Sequence, residues 1–461
     1  MKDFDLIVIG GGSAGYAAAR TFQEEGGNVA IVDGGEELSG LCILRGCMPS
    51  KTLIYSAEML HIAKQGKVFG FECNDIRADM ASIQRRKKEI ITEFADYRKG
   101  QLKDGRFSLF RSSAWFLDEK SVRMKDGTVI RADKFIISTG SKISMPPVLG
   151  LDQVSFKTSD DVLDLSEIPE EVVVLGGGIV ACELSQFLHR IGCSVTILQR
   201  NKNILKGFPE KASTCVLHKF REEGMIVKTG SSIERLEQTN DTTIRVDYLH
   251  DEEKKSIETK FLFHALGRTP ATDRLNLSEI GVRIKKSGHI QTNDFQQTSV
   301  PHIYAAGDCA GPHEIVHIAI RQGETAANHA LGKATEPISY DHLLGVVFTD
   351  PQVASVGFLP EQLDEKGIEY LSADYPFDDH GKSILMEAKH GYVAVHAEKK
   401  TGVVLGAECV GKDAGELIHT LSVAVSMRAT VHQLARADWY HPTLSEIWTY
   451  PIEDLAEIID E

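Results

Sequence analysis

The hydrophobic pattern of the chain repeats one phrase. Phe4 to Ile9 is an apolar, β-rich run, and Gly10, Gly12 and Gly15 follow it as GxGxxG. Ala14 to Glu25 is rich in helix formers, and "NVAIVD" (28–33) is a second apolar run that ends in Asp33. Such a succession predicts strand, tight turn, helix, strand. The phrase returns at "EVVVLGGGIVACELSQFLHRIGCSVTILQR" (171–200), with Gly176 and Gly178 in the first two glycine positions and Ala181 in the third. "ADKFIISTGS" (132–141) and "FLFHALGRTP" (261–270) are apolar strands entering turns at Thr139–Gly140 and Gly267. "TSVPHIYAAGDCAGP" (298–312) predicts a strand that stops at Gly307–Asp308 before a helix. From about Tyr340 the pattern alternates, in "VVFTDPQVASVGF" and "GYVAVHAEKKTGVVLGAECVG", and then turns helical in "DAGELIHTLSVAVSMRA". This last part predicts antiparallel strands and a helix, an α+β unit with no glycine motif.

Each phrase carries a chemistry. Glycines let the backbone approach a pyrophosphate at the positive end of the helix, and Asp33 is placed to accept hydrogen bonds from a ribose. A lone GxGxxG is common in ordinary turns, but here both strands, the helix and the acid are present. Two such units in one chain favour two dinucleotides and hydride transfer between them. At the end of the second unit Gln199 replaces the acid, and Arg200, Lys202 and Lys206 follow. A neutral residue among cations tips the balance from NAD toward the 2′-phosphate of NADP.

Composition narrows the remaining classes. A chain of 461 residues predicts two to four domains, and 42% hydrophobic with 25% charged residues is an ordinary globular composition. A net charge of −15 argues against nucleic acid or an anionic membrane as partner. No apolar run reaches the roughly 18 residues of a spanning helix, and Asp3 and Asp5 stand where a signal peptide would be basic. Eight cysteines are too few for a disulfide scaffold, which points to the reducing cytoplasm.

There a close cysteine pair needs a chemical reason. "GLCILRGCMPSK" (40–51) places Cys42 and Cys47 just before a helical stretch, with Gly46 loosening the loop between them and Pro49 suited to a first turn. A thiol at a helix N-terminus is stabilised as thiolate, and Lys51 adds positive charge one turn later. Zinc would need two further ligands at useful spacing, so a redox couple is the leading reading. "WYHPTLSE" supplies His441 with Glu446 five residues on, a base and its orienter.

Taken in order, GxGxxG, CxxxxCxPSK, a second glycine motif, the AAGD turn and HPTxxE resemble the class I pyridine nucleotide–disulfide oxidoreductases over essentially the whole chain. This family includes dihydrolipoamide dehydrogenase, which is the nearest in pattern, glutathione reductase and mercuric reductase. The resemblance implies an α/β protein: two Rossmann-like three-layer ββα nucleotide-binding domains plus a C-terminal α+β dimerisation domain. Residues 1–155 would be the first FAD segment with the redox disulfide, 156–275 the NAD(P) domain, 276–339 the second FAD segment, and 340–461 the interface of a homodimer. Cys47 would face the flavin and Cys42 the substrate. Lys51 would sit near the flavin, paired with Glu183, and Asp308 would contact the ribityl chain. His441 and Glu446 would act across the dimer, so that active sites are shared.

The implied substrate is a small disulfide or dithiol such as lipoamide, carried on a lipoyl domain in some settings. Ile179 stands where glutathione reductases carry a tyrosine, and Glu324 would repel a glutathione carboxylate, although Arg20 matches a glutathione ligand. Mercuric reductases are expected to carry a late vicinal cysteine pair, whereas the last cysteine here is Cys409. "CILRGC" departs from the "CxNxGC" of lipoamide dehydrogenases and puts Arg45 beside the couple, to lower a thiol pKa or to meet an anionic substrate. The alternatives are an NADPH-dependent reductase of another disulfide, quinone or metal ion, and a flavoprotein scaffold without turnover.

Overall fold

The first phrase folds as its pattern predicts. In the computed structural model, which describes residues 2–460, the strand Lys2–Ile9 enters the glycine turn, the helix Ser13–Glu24 follows, and the strand Val29–Val32 returns parallel to the first. Alternation along the first strand divides its side chains between two cores. Ile7 and Ile9 pack with Phe135 and Ile137 on one face, while Leu6 and Val8 pack with Ile136 and Tyr304 on the other. Both faces are covered, which is why the run is apolar without interruption. Truncating a fully buried residue such as Ile7 to alanine would cost about 2–5 kcal/mol.

The strand Val129–Ile137 joins distant parts of the chain. It pairs in parallel with Lys2–Ile9, antiparallel with Ser121–Met124 at its start, and in parallel with Ile303–Ala305 at its end. A segment much later in sequence thereby completes the same seven-stranded sheet. The intervening chain forms a four-stranded parallel sheet, in the order Ile226–Lys228, Ser194–Leu198, Glu171–Leu175, Leu262–His264, with an antiparallel three-stranded sheet beside it. The short strands Ser141–Ile143 and Arg268–Pro270 pair where the chain leaves and re-enters the first unit. A five-stranded antiparallel sheet from Leu344 to Gly411 and the helix Ala414–Ser426 make the last unit.

Of the elements the pattern missed, two show why. Tyr370–Pro376 is a fifth strand of the last sheet; its lone Pro376 and surface face hide the alternation. Met80–Lys103 is a 24-residue helix with only four buried residues, so its apolar stripe is faint.

Candidate active site

The two glycine-rich ends of the large sheet open on one cleft of about 650 Å³. Its floor is the first glycine turn. Gly10 has φ +105°, and a Cβ there would lie 2.3 Å from the carbonyl oxygen of Ser138. A Cβ on Gly15 would lie 1.9 Å from the Gly10 oxygen, so helix and strand meet closer than any side chain permits. Asp33 closes the second strand as expected, but its carboxylate is already engaged. Oδ2 accepts from Gly11 N at 2.7 Å, and Oδ1 accepts from Gly35 N at 3.0 Å and Arg111 Nη1 at 2.6 Å. A carboxylate offers about four acceptor sites, so one remains toward the cleft. Arg111 escaped the sequence reading because nothing marks a strand-end arginine as the partner of a residue 78 positions away.

The opposite wall is the turn after Ile303–Ala305. Ser141 Oγ donates to Asp308 Oδ2 at 2.6 Å, and Arg268 grips Ser141 through both its hydroxyl and its carbonyl. Thr139 Oγ1 donates to Ala271 O at 2.8 Å beside Gly140. The Gly307 amide donates to Gln322 Oε1, and Gln322 Nε2 donates to Gly311 O and Tyr340 OH. Fully buried Gln322 thus fixes the Asp308 turn, a role no sequence motif announces. Side-chain-free backbone, one free carboxylate position and a second acid across the cleft fit a pyrophosphate flanked by hydroxyl-bearing groups, the donor set FAD requires.

Cys42 and Cys47 line the same cleft. The link between them is not the loop that the sequence led us to expect: Leu41–Arg45 is a short helix, Gly46 breaks it, and Cys47 begins the helix Cys47–Lys64. The two thiols are free, and each is the strongest influence on the other's acidity. Cys42, with Lys51 behind it, pulls the Cys47 thiol down to about 7 against burial and the Glu183 carboxylate. Cys47 in turn, with burial, drives Cys42 far upward. Above about pH 7 the couple therefore carries its negative charge on Cys47.

Lys51 and Glu183 meet at 2.6 Å, and Glu183 is 3% exposed. The other carboxylate oxygen accepts from Phe348 N at 2.9 Å, and the Lys51 ammonium lies 4.8 Å from the centre of the Phe348 ring. Two further residues on the same face of the helix Ile179–Ile191 continue the contact. Gln186 exchanges hydrogen bonds with both the amide and the carbonyl of Asp350. Arg190 binds the carboxylates of Asp350 and Glu223 at 2.7 and 2.6 Å. Three residues at i, i+3 and i+7 thus join the second nucleotide unit to the last unit, directly behind Lys51.

Other expectations change. Arg45 does not address the thiols; it turns to Glu36 at 3.5 Å, and to Asp160, 115 positions on, at 3.3 Å. Arg20 and Glu324, read as a ligand and an obstacle for glutathione, neutralise each other at 2.8 Å. His441 Nδ1 and Glu446 Oε1 lie 2.7 Å apart, and this bond holds the Glu446 carboxyl below its usual range. The imidazole, however, is 75% exposed and lies outside the cleft of its own chain.

The second glycine turn is more open. Gly176 has φ +107°, and Gly267, at the end of the neighbouring strand, has φ +103°, but a Cβ on Gly178 would meet nothing within 4 Å. Ile179 and Val180 are 42% and 43% exposed at the helix start. Gln199 is buried, its amide donating to Asn203 O at 3.1 Å. Arg200, Lys202 and Lys206 are exposed, and among the described residues none forms an ion pair with them. Nor does any described helix have the length and apolarity to cross a membrane.

Known proteins share this architecture. The family described as pyridine nucleotide-disulphide oxidoreductase matches residues 4–323, and its dimerisation domain matches residues 344–451. Mercuric reductase from Lysinibacillus sphaericus is 33% identical over 445 residues, 96% of this chain and 81% of that protein. Dihydrolipoyl dehydrogenase from Geobacillus stearothermophilus is 31% identical over 453 residues, 96% of this chain and 94% of that one. The crystal structure of LpdA from Mycobacterium tuberculosis superposes with a TM-score of 0.88 at 24% identity, covering 99% and 100% of the two chains, which is a likeness of fold.

Proposed function

The chain belongs to the pyridine nucleotide-disulphide oxidoreductases, and we propose that Cys42–Cys47 is its redox couple, working between NAD(P)(H), FAD and a small disulfide or dithiol such as lipoamide. In the dithiol direction the balance is dithiol plus NAD(P)⁺ to disulfide plus NAD(P)H and a proton. The observation that carries this reading is a pair of free thiols lining one glycine-floored cleft, one lowered to about 7 by its partner and Lys51.

When bound, FAD supplies the two-electron carrier between nicotinamide and couple. The turn Gly10, Gly12 and Gly15 would hold its pyrophosphate, Asp33 a ribose hydroxyl, and Asp308 with Thr139, Gly140 and Gly307 the far end. Gly176, Gly178 and Gly267 would hold the nicotinamide nucleotide, with Arg200 and Lys206 favouring NADP. Lys51, oriented by Glu183, stabilises negative charge on Cys47; Cys42, kept protonated, is the thiol offered to substrate. His441 has Nδ1 committed to Glu446, which leaves Nε2 to take the substrate proton. Because His441 is exposed outside its own cleft, we assign it to the couple of a second chain in a homodimer. The cytoplasm suits a protein whose other cysteines are free thiols.

The test is spectroscopic. Two-electron reduction of the FAD-loaded protein should give a long-wavelength thiolate–flavin absorbance that Cys47→Ser abolishes; its survival in that variant would remove Cys47 from the role. The similarity to mercuric reductases favours a second reading, reduction of a metal ion by NADPH. Rates with dihydrolipoamide and NAD⁺, and with NADPH and Hg²⁺, decide between them.

A further inference from the structure

One face of the helix Glu210–Glu223 lies along the last unit, far from the thiols. Lys211, Cys215, His218 and Glu222 recur at steps of four, three and four, so they share that face. Lys211 fixes one end of the seam, paired with Asp374 and lying 4.1 Å from the centre of the Tyr392 ring. At the other end, His218 and Glu222 meet His390, which shortly precedes the strand Tyr392–Glu398. One ligating atom from each of the three lies within 4.8 Å of the others, and the two imidazole rings are 6.4 Å apart. Nε2 of His390 is 3.3 Å from Oε2 of Glu222.

A cation already occupies this corner. The Lys219 ammonium lies 3.2 Å from Glu222 Oε2 and 3.5 Å from His390 Nε2. An ammonium can only donate, so in the tautomer that serves Lys219 the Nε2 atom presents its lone pair, as a metal ligand must, and in the other tautomer it donates to Glu222. Burial, with Lys219 beside it, also holds His390 below the usual imidazole range.

We propose that His218, Glu222 and His390 form a site for a first-row divalent ion such as Zn²⁺, for which Lys219 competes, and which fastens the second nucleotide unit to the last unit. Two imidazoles and a carboxylate leave one tetrahedral position to water, and nitrogen–oxygen donors select zinc, cobalt or nickel over calcium or cuprous ion. A tetrahedral ion at about 2.0–2.1 Å from its ligands needs the donors closer than they now stand, and the exposed side chains of His218 and Glu222 are free to close. A second acid–histidine cluster among the described residues, His61 with Glu223 and Asp350, differs in that Arg190, itself buried, pairs with both carboxylates and cannot swing away to solvent as Lys219 can.

Equilibrium dialysis tests the proposal. The protein is FAD-loaded, its couple oxidised and exposed Cys73 replaced by serine, so that these thiols take no metal. One Zn²⁺ should bind per chain and raise the melting temperature as its concentration rises. His218→Ala and His390→Ala should each weaken binding by more than the roughly 10–100-fold that loss of an outer-shell partner costs. Lys219→Met should tighten it. Equal Zn²⁺ binding by all these proteins, or none by either the parent or Lys219→Met, would overturn the site.

Discussion

The two glycine turns share a grammar and its first close approaches, a Cβ on Gly10 or Gly176 meeting a neighbouring strand-end carbonyl at 2.3 or 2.6 Å, and they part after that. In the first, the third glycine is obligatory, since a Cβ on Gly15 would sit 1.9 Å from the Gly10 oxygen. In the second, Ala181 occupies that position and is 1% exposed. The acid after the first turn is bound to the turn itself and to Arg111; the second turn ends in a glutamine tied to its own loop. The first turn lies in a deep cleft, whereas the helix after the second exposes Ile179 and Val180. The contrast agrees with the proposed roles, a nest for a resident group and a dock for a visitor that must leave.

The largest effect should come from exchanging their tolerances. Gly15→Ala should yield protein that retains little or no FAD, because the overlap is with backbone and cannot relax cheaply. Gly178→Ala, in open space, should leave flavin content unchanged and raise only KM for the nicotinamide nucleotide. Flavin absorbance per chain after purification checks both, and full flavin content in Gly15→Ala would break the contrast.

Between the turns lies the couple, whose charge depends on both units: Lys51 comes from the first and Glu183 from the second. An ordinary thiol titrates near about 8.5. With Cys47 lowered to about 7, its thiolate persists above that pH and is lost as pH falls through it. Alkylation of the reduced protein should follow this midpoint, and Lys51→Met should move it upward. An unmoved midpoint would mean that the helix terminus and Cys42 suffice. The smallest effect is expected at the dock. Arg200→Glu should raise KM for NADPH by roughly tenfold, about 1.4 kcal/mol, and KM for NADH less; equal changes would remove the phosphate from the account.

What the sequence made legible was whatever depends on short-range order. Both glycine phrases, the helix beginning at Cys47 and the His441–Glu446 pair are spacings within a few residues. Lys51–Glu183, 132 positions apart, was readable only through the family resemblance. Arg111, Gln322 and the turning of Arg45 toward Asp160 had no such guide. Each is a contact decided by tertiary folding: the first two by where the large sheet brings its strand ends together, the last by the meeting of two short helices.

The row Glu183, Gln186 and Arg190 has a mechanical meaning. It makes the helix Ile179–Ile191 a lever, with the turn proposed for the nicotinamide nucleotide at its tip and its flank bolted to Phe348–Asp350. A lever of this kind cannot yield at Gly178 without dragging Glu183, and Lys51 with it, relative to Cys47. Occupancy at one domain would then be legible as the acidity of a sulfur atom in another.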